Sequence, residues 1–260
     1  MKFLFICMLL LLCSLSALMA QTLTFSVDDY CPYYCKDAQS DVPRLAAKPG
    51  FVIEILQQAF ESKGYELEYV FRPWARGIRE VSEGKVNGLV IAAKGDAPRH
   101  VFPKNEQGRS LGCYYVAANS HWAFDGVASL QGVRLGVVKG YEYSEPLNGF
   151  LKKDSNKKEV VALTGDRPME RILNMIELGR LDVTMADSNI ADYLIHQMGK
   201  KTSVKKSSCG ADYLNFYVTF SPILKGSRQH ADILSQAMDE LRANGKLKKI
   251  LARYGVSDWQ

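Results

Sequence analysis

The sequence predicts an α/β protein built as two similar units. Short apolar strands alternate with amphipathic helical stretches along nearly the whole chain, and the alternation restarts near residue 130. The chain then finishes in two helices rather than in a further strand. Strands separated by helices imply parallel pairing and a sheet covered on both faces.

The elements follow in order. Leu23 to Val27 alternates apolar and polar as a strand does. Residues 51 to 62 put Val52, Ile55, Leu56, Ala59 and Phe60 on one helical face, and Gly64 suits a C-terminal cap. A strand from Glu66 to Phe71, a helix from Trp74 to Glu83 opened by Pro73, and a short buried strand from Leu89 to Ala92 complete the first unit. The stretch His121 to Ser129 lacks periodicity and reads as a connection.

The second unit opens at Leu130 to Val138. It continues with a helix from about Ser144, a strand from Glu159 to Ala162 and a helix from Pro168 to Leu178. A strand from Asp182 to Met185 and a helix from Ser188 to Met198 close it. A strand from Phe216 to Phe220 follows, then helices built on Ile233, Leu234, Ala237, Met238 and Leu241, and on Leu247, Ile250, Leu251 and Tyr254.

Ahead of all this stand Lys2, an unbroken apolar run from Phe3 to Leu12, and small residues ending at Ala20. That order is expected of a secretory signal peptide over residues 1–20, cleaved before Gln21. Ser14 and Ser16 break the run short of the ~20 apolar residues a membrane span needs. Cys13 is a poor lipid-anchor site, because Leu11 and Leu12 precede it where small residues are usual.

The formal net charge of +5 comes from basic residues that are mostly scattered, with short clusters such as Lys200–Lys201, Lys205–Lys206 and Lys246 to Lys249. A solvated surface accounts for them, and a nucleic-acid partner is not expected. Export leaves Cys31, Cys35, Cys113 and Cys209, which in an oxidising compartment read as disulfides. Cys31 and Cys35 lack both the two-residue spacing of zinc knuckles and a histidine partner set, so no metal is expected. Neither a nucleophile elbow, a zinc-protease motif, a phosphate loop nor a dinucleotide fingerprint occurs, and His100, His121, His196 and His230 lie far apart. An enzyme and a cofactor are therefore not expected.

Several strings in this order resemble the type II periplasmic binding proteins of solute-binding family 3, the polar amino-acid receptors of bacterial importers. They are Asp29 to Tyr33 (DYCPY), Gly84 to Gly88 (GKVNG), Leu130 to Gly136 (LQGVRLG), Gly179 to Asp182 (GRLD), and the ending from Leu241 through Gly255. The resemblance spans essentially all of the chain after Ala20. It implies a two-lobed fold, each lobe a mixed sheet flanked by helices, joined by two hinge strands near Cys113 to Val116 and Cys209 to Leu214. Lobe 1 would comprise residues 21–115 and 213–260, and lobe 2 residues 116–212. The same resemblance implies disulfides Cys31–Cys35 within lobe 1 and Cys113–Cys209 between the hinge strands.

By that resemblance the ligand lies between the lobes, with Tyr30 and Trp74 sandwiching its side chain. Arg99 would grip an α-carboxylate by paired charge-assisted hydrogen bonds, although Asp96 stands where the family has a hydroxyl residue. Asp187 matches the acid that takes an ammonium group, and it also suits a helix N-cap. Lys94, Tyr141, Glu142 and Tyr143 replace small polar residues of the family pocket, which implies a cationic, modified or bulkier ligand. Glu106, after the arginine, is expected to have little part in binding.

The implied function is a periplasmic, monomeric receptor that hands a small polar solute, amino-acid-like in kind, to the membrane permease of an ABC importer. Two other readings fit the same resemblance. One is a sensory ligand-binding protein. The other is an exported dehydratase acting on cyclic precursors of aromatic amino acids (cyclohexadienyl or arogenate type), with Asp187 or Glu142 as general base.

Overall fold

The computed structural model describes residues 21–139, 141, 143, 145–164, 167–199 and 203–260. The expected signal peptide and Glu142 lie outside the described residues.

The first lobe opens with β1 (Gln21–Val27), α1 (Phe51–Phe60), β2 (Tyr65–Phe71), α2 (Trp74–Ser82) and β3 (Gly88–Ala92). β1 is the parallel centre, paired with β2 on one side and β3 on the other. The apolar face of α1 is wider than its periodicity suggests, since Phe51 and Ile53 are buried along with Ile55, Leu56 and Phe60. The cause is that α1 is enclosed between the sheet and the C-terminal helices α6 (Ser227–Ala243) and α7 (Lys246–Ala252), whose Leu234, Met238, Leu247 and Leu251 share its core. On the opposite face α2 packs through Val81 against Leu89 and Ala92. The sheet is thus covered on both sides.

The second lobe contains β5 (Leu135–Val138), α3 (Glu145–Leu151), β6 (Val160–Leu163), α4 (Pro168–Glu177), β7 (Val183–Asp187) and α5 (Ser188–Met198). β5 pairs in parallel with β6 and β7. Successive side chains of a strand point to opposite faces, and here Cys113 and Tyr115 enter the core under α4 and α5 while Tyr114 and Val116 enter the one under α3.

Two long strands connect the lobes, β4 (Gly108–Ala117) and β8 (Val204–Phe220). They pair antiparallel with each other, while β7 lies antiparallel on β4 and the end of β8 lies antiparallel on β3. The strand order is β2-β1-β3-β8-β4-β7-β5-β6. The sheet is therefore mixed, with parallel pairing inside each lobe and antiparallel pairing through the hinge.

Sequence reading divides β8 into a hinge strand and a separate return strand, whereas the structure makes them one element. The physical reason is exposure: Cys209 to Leu214 cross between the lobes, are covered by neither core, and so carry no apolar alternation. Cys113 faces Cys209 in register and bonds to it, and Cys31 bonds to Cys35. Among the described residues no helix is long and apolar enough to cross a membrane.

Candidate ligand-binding cleft

Five strand ends converge on the space between the lobes. Beyond β1 come Asp28, Asp29 and Tyr30; beyond β2 comes Trp74; β3 ends at Ala92; Tyr141 follows β5; and β7 ends at Asp187. Open α/β sheets bind ligands at the carboxyl ends of their strands because neighbouring loops diverge there. At β3 the register shifts between Leu89 and Ala92, and Ile91 adopts φ 53°. A β-branched residue in the left-handed region is strained, and such strain persists where surrounding structure holds a wall in place.

Two adjoining cavities occupy this space, of about 790 Å³ and 480 Å³, and share Tyr30, Tyr141 and Phe216. The larger reaches back to the crossing strands and contains Tyr114, Tyr143, Met185 and Asp187 in its wall. The smaller is bounded by Asp28, Asp29, Trp74 and Asp96. Volumes of this order suit small solutes. The described lining is rich in aromatic rings and carboxylates and includes no lysine, arginine or histidine.

The disulfide loop Cys31–Cys35 shapes the lobe 1 wall. Tyr30 stacks on Tyr33 at 5.4 Å, and Phe216 meets Tyr33 edge-on at 5.5 Å. Tyr33 is fully buried, and its hydroxyl donates to Asp187 Oδ2 at 2.9 Å. Asn189 Nδ2 donates to the Tyr33 hydroxyl and to the Arg109 carbonyl, both at 2.8 Å.

Asp187 caps α5. Its Oδ1 accepts from the Asn189 and Ile190 amides at 2.8 and 3.2 Å. With Tyr33 and Ser110 also donating, both oxygens are engaged. Burial pushes this carboxyl above its ordinary value, against the lowering effect of Ser110, Tyr33, Ile190 and Asn189. Burial, followed by the charge of Asp187, also raises the Tyr30 phenol well above its ordinary value. On the other lip the Tyr143 hydroxyl accepts from the Val138 amide at 2.8 Å, and Asn148 holds the Tyr143 backbone from both sides.

Of the residues expected from sequence, Tyr30, Trp74, Tyr141, Tyr143 and Asp187 line the cleft. Lys94 and Arg99 line neither cavity. Asp96 Oδ2 accepts from the Ala93 amide at 2.8 Å, which closes a turn and leaves both basic side chains exposed. Lys94 Nζ lies over the Tyr217 ring, 5.0 Å from its centroid. Glu106 lines neither cavity; it is buried and accepts from Trp259 Nε1 at 2.8 Å. His100 and His230 are buried apart from the cleft, with His100 bonded to Ser82 and Thr219. Among the described residues no group of acids, cysteines and histidines is arranged to hold a metal.

Sequence reasoning missed Tyr33, Ser110, Tyr114 and Asp28. Asp28 was findable, since it directly follows a strand of the first unit; Tyr33 and Ser110 carry no periodic signal.

No protein-family model matches this chain. No curated protein matches it either. Solved structures do. A histidine kinase sensor domain with similarity to periplasmic binding proteins superposes with TM-score 0.66 at 18% identity, covering 92% of this chain and 99% of that one. The fold is that of the periplasmic binding proteins. The L-cystine solute receptor of Neisseria gonorrhoeae, unliganded and open, matches with TM-score 0.63 at 19% identity over 90% of this chain and 92% of the receptor. An ancestral arginine-binding protein bound to arginine gives 0.63 at 16% identity, covering 91% and 99%. In this chain the two antiparallel crossing strands join the lobes, and the cleft lies between them.

Proposed function

We propose that the protein is an exported solute receptor that closes its two lobes on a small polar solute, amino-acid-like in size, and presents it to the permease of an ABC importer. The observation that carries this reading is the cleft itself: Tyr30 and Trp74 come from one lobe and Tyr141, Tyr143 and Asp187 from the other. A solute touching both sets has more contacts when the lobes are closed, and only such differential affinity shifts an open–closed equilibrium. Lobe 1 is taken as residues 21–115 and 213–260, and lobe 2 as 116–212; β8 crosses near residue 213, while β4 already enters the second-lobe cores at Cys113 to Tyr115. Residues 1–20 act as the signal peptide, which places the mature protein in the periplasm. Asp187, held by the Tyr33 hydroxyl and the Asn189 amide, presents a fixed carboxylate on the lobe 2 side of the cleft.

A thermal-shift screen of amino acids, amines and small organic acids tests the reading. A true solute at a hundred times its Kd should stabilise the fold by about 2.7 kcal/mol. Absence of any stabilising compound would count against a receptor. A sensory role is the second reading, supported by the likeness to a histidine kinase sensor domain. Capture of a kinase rather than a permease by the loaded protein would favour it.

A further inference from the structure

We infer that the solute is an organic cation without a carboxylate, an amine or quaternary ammonium compound seated among Tyr30, Trp74 and Tyr141 beside Asp28, Asp29 and Asp96. This rests on the reading of the cleft as a solute site. The pocket of about 480 Å³ presents these rings and carboxylates together. Trp74 and Tyr141 remain 39% and 48% exposed. Aromatic faces left open beside carboxylates are the arrangement that holds an alkylammonium group, through the ring quadrupole and through charge.

The negative charge acts across the cleft. Tyr141 belongs to lobe 2, and after burial the charges of Asp28 and Asp29 in lobe 1 are what raise its phenol. Closing the lobes brings those acids nearer to the opposing ring, and a cation between them relieves the cost. The chain as a whole is net positive at +5, so the acidity of the pocket is local.

Among the described residues a carboxylate would find no basic side chain here, since no lysine, arginine or histidine lines either cavity. Arg109, the nearest alternative along β4, is held by Asn215, the Trp259 carbonyl and Glu106. The start of α5, a helix end that favours anions, is already filled by the Asp187 carboxylate. In the wall of the adjoining cavity the buried Tyr114 hydroxyl has no hydrogen-bond partner among the described residues.

Matched pairs test this by calorimetry on the purified protein: lysine against 1,5-diaminopentane, and arginine against 4-aminobutylguanidine, with tetramethylammonium as a third probe. At least one carboxylate-free cation should bind, and any amine that binds should do so at least tenfold more tightly than its parent amino acid. Trp74→Ala and Asp28→Asn, both at exposed positions, should each weaken it at least fivefold, while Ile223→Ser outside the pocket should not. An amino acid that binds as well as its amine overturns the inference and leaves the receptor reading standing. Amine binding that is indifferent to Trp74→Ala and Asp28→Asn overturns the assigned site. No binding by these probes or by any compound of the wider screen overturns both.

Discussion

Tyr33 and Asp187 meet across the hinge region, with the fully buried Tyr33 hydroxyl donating to Asp187 Oδ2 at 2.9 Å. Tyr33 belongs to the disulfide loop of lobe 1, while Asp187 ends β7 and caps α5 in lobe 2. One hydrogen bond therefore ties the ring cluster under Tyr30 to a helix start in the other lobe. Asn189 extends the tie to the Arg109 carbonyl of β4. Buried polar groups joined in this way constrain geometry because each leaves its neighbour unsatisfied if removed.

Tyr33→Phe should accordingly lower unfolding stability by about 1–3 kcal/mol, since it removes a donor from a carboxylate and an acceptor from Asn189 without changing the packed ring. Urea unfolding at neutral pH measures it. A loss within error of zero would show that water replaces the hydroxyl freely and that the tie carries no stability.

The raised Asp187 carboxyl gives a pH signature of definite sign. Its folded value lies above the ordinary 3.8, so between the two the folded state binds more protons than the unfolded state. Stability then falls as pH rises through that window, and below 3.8 the penalty is absent. Asp187→Asn cannot titrate. The stability of wild type relative to Asp187→Asn should therefore be greatest below the window and decline as pH rises across it. A difference that grows with pH would mean that the four donors outweigh burial.

The contrast between Asp187 and Arg99 shows what the sequence could and could not convey. Asp187 was legible because a strand end followed by a helix start is a local pattern, and in this fold that pattern lies on the cleft. Trp74 was legible for the same reason, at a helix start just after β2. The placement of Lys94 and Arg99 depends instead on a turn closed by Asp96 on the Ala93 amide and on a register shift in β3, which no spacing rule reveals. Tyr33 was hidden by contacts to residues more than a hundred positions away. The unity of β8 was hidden because its middle crosses open space, where apolar alternation has no purpose.

The two disulfides should contribute unequally. Chain entropy scales with the logarithm of the closed loop, and the separations are 4 residues for Cys31–Cys35 and 96 for Cys113–Cys209. The model gives about 2 kcal/mol for the short loop and about 4.7 kcal/mol for the long one. Cys113→Ser with Cys209→Ser should thus lower stability more than Cys31→Ser with Cys35→Ser, by denaturant titration. The reverse order would mean that the short loop acts mainly through the native packing of Tyr33.

The last prediction separates basic residues that sequence reading placed in the pocket from aromatic residues that line it. Lys94 lies over Tyr217, and Arg99 lines neither cavity, so Lys94→Ala and Arg99→Ala should leave solute affinity within about twofold, the scale of an ordinary surface substitution. Tyr141 is a shared wall of both cavities, and Tyr141→Ala removes a ring face worth about 0.5–2 kcal/mol to a cation. That corresponds to roughly two- to thirty-fold in Kd. Glu106→Gln does not serve as a neutral comparison, because the buried Glu106 accepts from Trp259 Nε1 and pairs with Arg109. Calorimetry with whichever compound the thermal screen identifies decides the matter. A large loss in Arg99→Ala with Tyr141→Ala unchanged would show that closure carries Arg99 into the site, and would return an acidic group to the list of what the solute must possess.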